Sequence, residues 1–283
     1  MTATKAGMAF LEAYLQKAEV VSEPEKVQKD FICPIHGHVF ETVPENEPLT
    51  HCPKCAAERR EKAQKKINLL ESERIRAKGL RDFLGNEPFS PYDPTQTFEN
   101  YVLTGSKEQK RALAVAKRFS ENLLARKLEG KEKSKIGLLF HGVYGAGKTH
   151  LASAIVTTAK AQGLCPIFLT LRGLMALFKP GSGLPHQTLL SYLTSITLLV
   201  IDEVGRGAGS DFESNILIEL IDARAHKGNP TVLITNLGGE EYRDMLGGAI
   251  SSRTHSLFYR VPFSWGDYRK KINISAQDFE EVF

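Results

Sequence analysis

The chain has 283 residues, 42% of them hydrophobic and 25% charged, which is the balance of a globular protein and excludes wholesale disorder. That length suits one large domain beside a small one. A net charge of +4 excludes a uniformly basic surface, so any surface for nucleic acid must be local. No apolar run approaches the ~20 residues of a membrane span, and residues 1–10 lack a secretory h-region. No membrane partner and a cytoplasmic location are the expectation.

Residues 6–21 place Met8, Phe10, Leu11, Tyr14, Leu15, Ala18 and Val21 at helical spacing, which predicts either a core-facing amphipathic helix or a helix that docks on a partner. Three of the four cysteines then cluster in Cys33-Pro-Ile-His36 and Cys52-Pro-Lys-Cys55, with fifteen residues between His36 and Cys52. In a cytosolic protein such clustering favours metal over disulfide. Two residues between ligands let a tight turn aim both side chains at one ion, and two such turns supply the four tetrahedral ligands of zinc. The predicted set is Cys33, His36, Cys52 and Cys55, with His38 and His51 as rival nitrogen ligands. A hairpin over 31–57 buries little apolar surface and needs such a staple, so the zinc is expected to be structural. Cys165 reads as an ordinary core residue.

Residues 56–84 predict one long charged helix with Ala63, Ile67, Leu70, Ile75 and Leu80 as a broken apolar stripe. Between Lys54 and Arg81 ten Lys or Arg face four Glu, read as a solvated face or as a surface for nucleic acid or an acidic partner. Residues 85–95, with Pro88, Pro91 and Pro94, exclude regular helix and central strand and divide a partner-binding domain over 1–84 from a larger domain over 96–283. A helix over 107–127 follows, then a polar loop.

Ile136 to Phe140 reads as a buried strand. It leads into Gly142-Val143-Tyr144-Gly145-Ala146-Gly147-Lys148-Thr149-His150, which has the G-x4-G-K-[ST] spacing of a phosphate-binding loop. A helical pattern through Leu151, Ala152, Ile155, Val156 and Ala159 follows at once, the context this motif needs. The glycines let backbone N–H groups turn around an anion, and the helix N-terminus adds positive charge there. Lys148 is expected on the β- and γ-phosphates, and Thr149 on Mg²⁺. A strand over 166–171 and helical segments at 174–178 and 189–193 precede Thr197-Leu-Leu-Val-Ile-Asp202-Glu203. That buried strand delivers two carboxylates to its C-terminal edge, where parallel sheets bind ligands. Asp202 is expected in the Mg²⁺ shell and Glu203 as the group that orients or deprotonates the attacking water. A helix from Ser210-Asp211 to Ala225 and a strand over 231–236 follow, with Asn236 placed to hydrogen-bond the water or the γ-phosphate. The last fifty or so residues are mixed, and Arg253, Arg260 and Arg269 are cations that can complete a phosphate site. The alternation of strand and helix predicts an α/β domain with a parallel sheet.

The succession Phe98-Glu-Asn-Tyr, Gly147-Lys148-Thr149-His-Leu, Leu-Leu-Val-Ile-Asp202-Glu203, Ile-Thr-Asn236, Ser-Arg253 and Phe-Ser-Trp265-Gly-Asp-Tyr268-Arg269 resembles the DnaC-type bacterial replicative helicase loaders, which are AAA+ ATPases. The related helper ATPases of insertion-sequence transposition share most of it. The resemblance covers about residues 96–275 and implies a AAA+ phosphate-loop domain behind a small helical, zinc-bearing one. It implies ATP, Mg²⁺ and Zn²⁺ as ligands. It also implies an oligomer with ATP at subunit interfaces, a hexameric replicative helicase as partner, and single-stranded DNA. By the same resemblance Arg253 is the arginine finger reaching a neighbour's γ-phosphate, Arg269 the second sensor arginine of its own subunit, and Ser210 and Phe212 a DNA grip. A transposase-delivering helper, or a nucleotide-gated adaptor that does not hydrolyse, are the alternatives.

Overall fold

A computed structural model describes residues 24–84, 90–129, 136–179, 185–205, 211–238 and 252–268, with single positions at 241 and 248. The expected helix over 6–21, Ser210 and Arg269 lie outside the described residues. The chain forms two compact units, residues 1–64 and 65–283.

The first unit holds β1 (Lys26–Cys33) and β2 (Gly37–Pro44), an antiparallel hairpin in register from Lys26 opposite Pro44 to Cys33 opposite Gly37. Its core is small: Cys33, Val39 and Cys52 are buried, with Phe31 and Cys55 packed against them. Helix α1 (Pro53–Leu84) starts at the second cysteine pair. Proline at the first helical position needs no N–H partner, and the Cys52 thiol sulfur accepts the Cys55 N–H at 3.5 Å.

The long helix arises where the sequence predicts it, but its buried stripe is different. Ile67 and Ile75 are 56% and 66% exposed, whereas Glu73 and Ala77 are buried and Leu70 is partly so. The face carried into the second unit is thus built around a carboxylate.

The second unit continues with α2 (Lys107–Glu121) and α3 (Leu123–Glu129). The sequence predicts one helix here; it breaks at Asn122, whose side-chain amide donates to the Arg118 carbonyl at 2.7 Å, a local bond that competes with the helical ladder. Strands β3 (Gly137–Gly142), β4 (Ile167–Thr170), β5 (Leu199–Asp202), β6 (Thr231–Thr235) and β7 (Phe258–Phe263) form a five-stranded sheet in the order β4-β5-β6-β3-β7. Every neighbouring pair is parallel. Helices α4 (Lys148–Ala161), α5 (Leu171–Phe178), α6 (His186–Ser195) and α7 (Asp211–His226) cover it.

Alternate strand residues enter two cores. Leu139, Leu169, Ile201 and Leu233 pack with α5, α6 and α7; Phe140, Phe168, Val200 and Ile234 pack with α2 and α4. Burial on both faces is why these strands read as continuous apolar runs. Strand β7 was absent from the expected elements. Its Pro262 is tolerated because the strand lies at the sheet edge. None of the described helices is long and apolar enough to cross a membrane.

At the N-terminal edge of the sheet, within the second unit, one charge cluster joins Glu73 to α7. Arg224 of α7 is fully buried and gives its guanidinium to Thr231 Oγ1 (2.8 Å) and to the carbonyls of Leu193, Ile196 (3.0 Å), Thr197 (3.3 Å) and Pro230 (2.6 Å). The Thr197 hydroxyl donates to Glu73 of α1 at 2.6 Å. Burial pulls the Arg224 pKa down to about 9, and the Glu73 charge acts against that. Removing one partner of such a cluster leaves buried acceptors and a charge uncompensated. Arg224→Ala is therefore expected to cost about 3–5 kcal/mol of stability, read from denaturant midpoints. A change within about 0.5 kcal/mol, as for a surface site, would contradict this account.

Candidate functional site

The strand order decides what meets at the C-terminal edge. Because β6 lies between β5 and β3, the loop after β3, the carboxylates ending β5 and Asn236 after β6 become neighbours. They line one cavity of ≈ 710 Å³, with Gly145 to His150, Asp202, Glu203 and Asn236 in its wall.

The loop is preshaped. Gly145 has φ +68° and a Cβ there would lie 1.6 Å from Asp267 Oδ1; Gly147 has φ +86° and a Cβ would lie 2.7 Å from the Tyr101 ring. Only glycine fits either place. Lys148 is buried and its Nζ donates to the carbonyls of Gly142 (2.9 Å) and Val143 (2.6 Å). Val143 and Tyr144 are exposed at the rim. His150 meets the Thr97 carbonyl through Nε2 at 2.8 Å and stands edge-on to Tyr101.

Thr149 Oγ1 donates to Asp202 Oδ2 at 2.7 Å. Burial, with the Glu203 charge adding to it, pushes the Asp202 carboxyl above the usual range against hydrogen bonds from Thr149 and the Glu203 N–H. A hydroxyl and a buried carboxylate beside an anion cradle form a donor set of the oxygen type that magnesium takes. Glu203 sits at φ +59°, a left-handed backbone rare outside glycine. Its N–H bonds to Asp202 Oδ1 at 2.6 Å, and the next N–H, of Val204, reaches the Ile234 carbonyl at 2.9 Å. Strain held by neighbouring strands clusters at functional sites, and it turns the Glu203 backbone out of the strand line beside the loop.

Arg253 is not in this cavity. Its Nε donates to both carboxylate oxygens of Asp222 on α7, each at 2.8 Å. Phe212, in the first turn of α7, is 45% exposed.

In the first unit, Cys33, His36, Cys52 and Cys55 bring their ligand atoms within 4.8 Å of one another. His36 Nδ1 lies 3.7, 3.6 and 3.4 Å from the sulfurs of Cys33, Cys52 and Cys55, and the Cys33 and Cys55 sulfurs are 3.6 Å apart. A zinc tetrahedron with Zn–S about 2.3 Å and Zn–N about 2.0 Å has edges of roughly 3.5–3.8 Å, so these atoms fit one. The cysteines are free thiols. Burial raises the Cys33 thiol, but the N–H groups of His36 and Ile35 and the His36 ring outweigh it and hold it at about 6. His36 Nε2 meets Glu58 at 3.0 Å, the outer carboxylate that commonly orients a ligating histidine. His38 pairs instead with Asp30, and His51 with Thr50. Of the three histidines, His36, the one in the predicted set, is the one grouped with the three sulfurs.

The sequence reading assigned no role to a second set around the loop. The Tyr101 hydroxyl (3.2 Å) and Trp265 Nε1 (3.0 Å) both donate to the Ala146 carbonyl, and the Tyr268 N–H donates to the Gly145 carbonyl at 3.0 Å. The signal present in the sequence was the pair of aromatic motifs flanking the domain, far from the loop in number.

Comparison with known proteins agrees with this geometry. Residues 124–260 match the family described as IstB-like ATP binding protein. The chain is 31% identical over 209 residues to the replicative helicase loader DnaC of Escherichia coli K12, an alignment covering 72% of this chain and 80% of that protein. Among solved structures it is similar in fold to the DnaC helicase loader (TM-score 0.50, 22% identity, 60% of this chain and 97% of that one). It is also similar to DnaI (TM-score 0.51, 20% identity, 60% and 92%). A phosphate loop, a bonded Thr149–Asp202 pair and a relative of this identity and coverage together lead to one conclusion: the chain belongs to the DnaC family of replicative helicase loaders.

Proposed function

We propose that the protein is an ATP-driven loader that holds a hexameric replicative helicase, binds single-stranded DNA and places the one on the other. The observation that carries the reading is the cavity joining the phosphate loop to Asp202, Glu203 and Asn236 in a chain of the loader family. Lys148 and the loop N–H groups bind the phosphates. On nucleotide binding the Lys148 ammonium exchanges its carbonyl partners for phosphate oxygens. Magnesium, when bound at Thr149 and Asp202, neutralises phosphate charge. Glu203 takes a proton from the attacking water, and Asn236 orients that water without adding charge.

Arg253, held by Asp222 within its own subunit, reaches a neighbour's γ-phosphate when subunits assemble, and Arg269 acts within its own. Zinc at Cys33, His36, Cys52 and Cys55 holds the hairpin of the first unit, which with α1 forms the grip on the helicase. Ser210 and Phe212 contact DNA. On this reading the domains divide as 1–84, a linker over 85–95, and 96–283.

The test mixes the protein with a replicative helicase, ATP and single-stranded DNA and measures complex mass and unwinding. The expected result is an ATP-dependent complex that raises loading, and loss of both with Lys148→Ala. No effect of the unsubstituted protein on loading would overturn the loader reading. The match to the IstB-like family over 124–260 supports a second reading, a helper delivering a transposase to duplex DNA. Recovery of a transposase in place of a helicase would favour it.

A further inference from the structure

We infer that Tyr101 and Trp265 are positioning residues that set the phosphate loop before any nucleotide arrives, by holding its carbonyls from outside. This rests on reading Gly142 to Thr149 as a nucleotide site. Two side-chain donors from opposite ends of the domain converge on one acceptor, the Ala146 carbonyl, at 3.2 and 3.0 Å. A third donor, the Tyr268 N–H, takes the adjacent Gly145 carbonyl at 3.0 Å. None of these peptide bonds is cis. In a planar trans peptide the C=O and the following N–H point in opposite directions. Fixing the Gly145 and Ala146 carbonyls therefore aims the N–H groups of Ala146 and Gly147 away from the clamp. Those two N–H groups belong to the loop whose N–H groups cradle the phosphates.

A loop with three glycines at positive φ has many conformers to lose on binding. Each external bond that removes a conformer lowers that cost, which is preorganisation of an anion site. The two donors overlap in duty. The Tyr101 ring also packs on Gly147 and the Trp265 ring on Phe263, with centroids 4.8 Å apart. Replacing each by Phe therefore removes a donor and keeps an aromatic ring.

The expected result follows from one carbonyl having two donors. Tyr101→Phe and Trp265→Phe should each weaken ATP binding about threefold, because the other donor still holds the carbonyl. Tyr101→Phe/Trp265→Phe should weaken it by about 30-fold or more, beyond the product of the two, because the buried carbonyl then has neither. The measurement is ATP affinity by titration calorimetry on the full chain, with the thermal midpoint of the nucleotide-free protein alongside. In steady state KM should rise by the same factor as Kd, while kcat falls far less. A double variant binding ATP within twofold of the unsubstituted chain overturns the clamp. So does one in which ATP affinity, kcat and thermal midpoint all fall together, which is the mark of a merely structural pair. If the unsubstituted chain itself failed to bind ATP, the nucleotide site would fall first, so the two failures are told apart.

Discussion

Glu203→Gln is expected to bind ATP with nearly unchanged affinity and to lose turnover by about 10²–10⁴-fold, the range for removing a positioned general base. The substitution keeps size and hydrogen-bonding reach and deletes only basicity. It also keeps the backbone problem the same size: Glu203 sits at φ +59°, and an unbranched side chain of the same length tolerates that conformation as well as the original does. Asp202 stays in place through Thr149, so that pair and the phosphate loop are untouched. Phosphate release at saturating ATP, measured beside binding of the same nucleotide, reads the split. If turnover persisted with the glutamine, the base would lie elsewhere in the cavity and the role given to Glu203 would be wrong.

The second large effect concerns the first unit. Its buried core consists of Cys33, Val39 and Cys52, with Phe31 and Cys55 beside them, so most of what is buried belongs to the proposed ligand set. A core of that size cannot hold a hairpin without a staple. Zinc withdrawn by a chelator, or Cys52→Ser, is expected to unfold residues 26–55, because metal free energies in such sites are about 10–16 kcal/mol and are folding free energies. Residues 65–283 carry their own two cores, so ATP binding should survive. Hydrogen exchange along the chain separates the two responses. Protein purified without zinc, or hairpin amides still protected after chelation, would overturn the assignment. The proposed consequence for loading is selective: ATP is bound, and the helicase is not.

The parts legible in the sequence were those whose chemistry is local. Gly142 to Thr149 announces itself through spacing, and Leu199 to Glu203 through an apolar run ended by acids. Cys33, His36, Cys52 and Cys55 showed themselves as paired turns. What stayed hidden depends on partners far away in number. Strand β7 exists because β3 offers it an edge, and nothing near it in sequence marks that edge. Glu73 looked like one more charge on a solvated helix, since nothing near it indicates that Thr197 and Arg224 will enclose it. Tyr101 and Trp265 are 164 positions apart and meet at one carbonyl. The break at Asn122 turned on an individual hydrogen bond, which no periodicity encodes.

The tryptophan in that clamp is the chain's single one. Trp265 is 8% exposed and its indole N–H ends on the phosphate loop. The molecule thus carries its own optical probe at the nucleotide site. Its ultraviolet emission arises from one known place, with no background from a second indole, and depends on the hydrogen bond and packing of that ring. A change in that emission on adding natural ATP is the expected report of loop occupancy, with no dye, and DNA adds no indole to the signal.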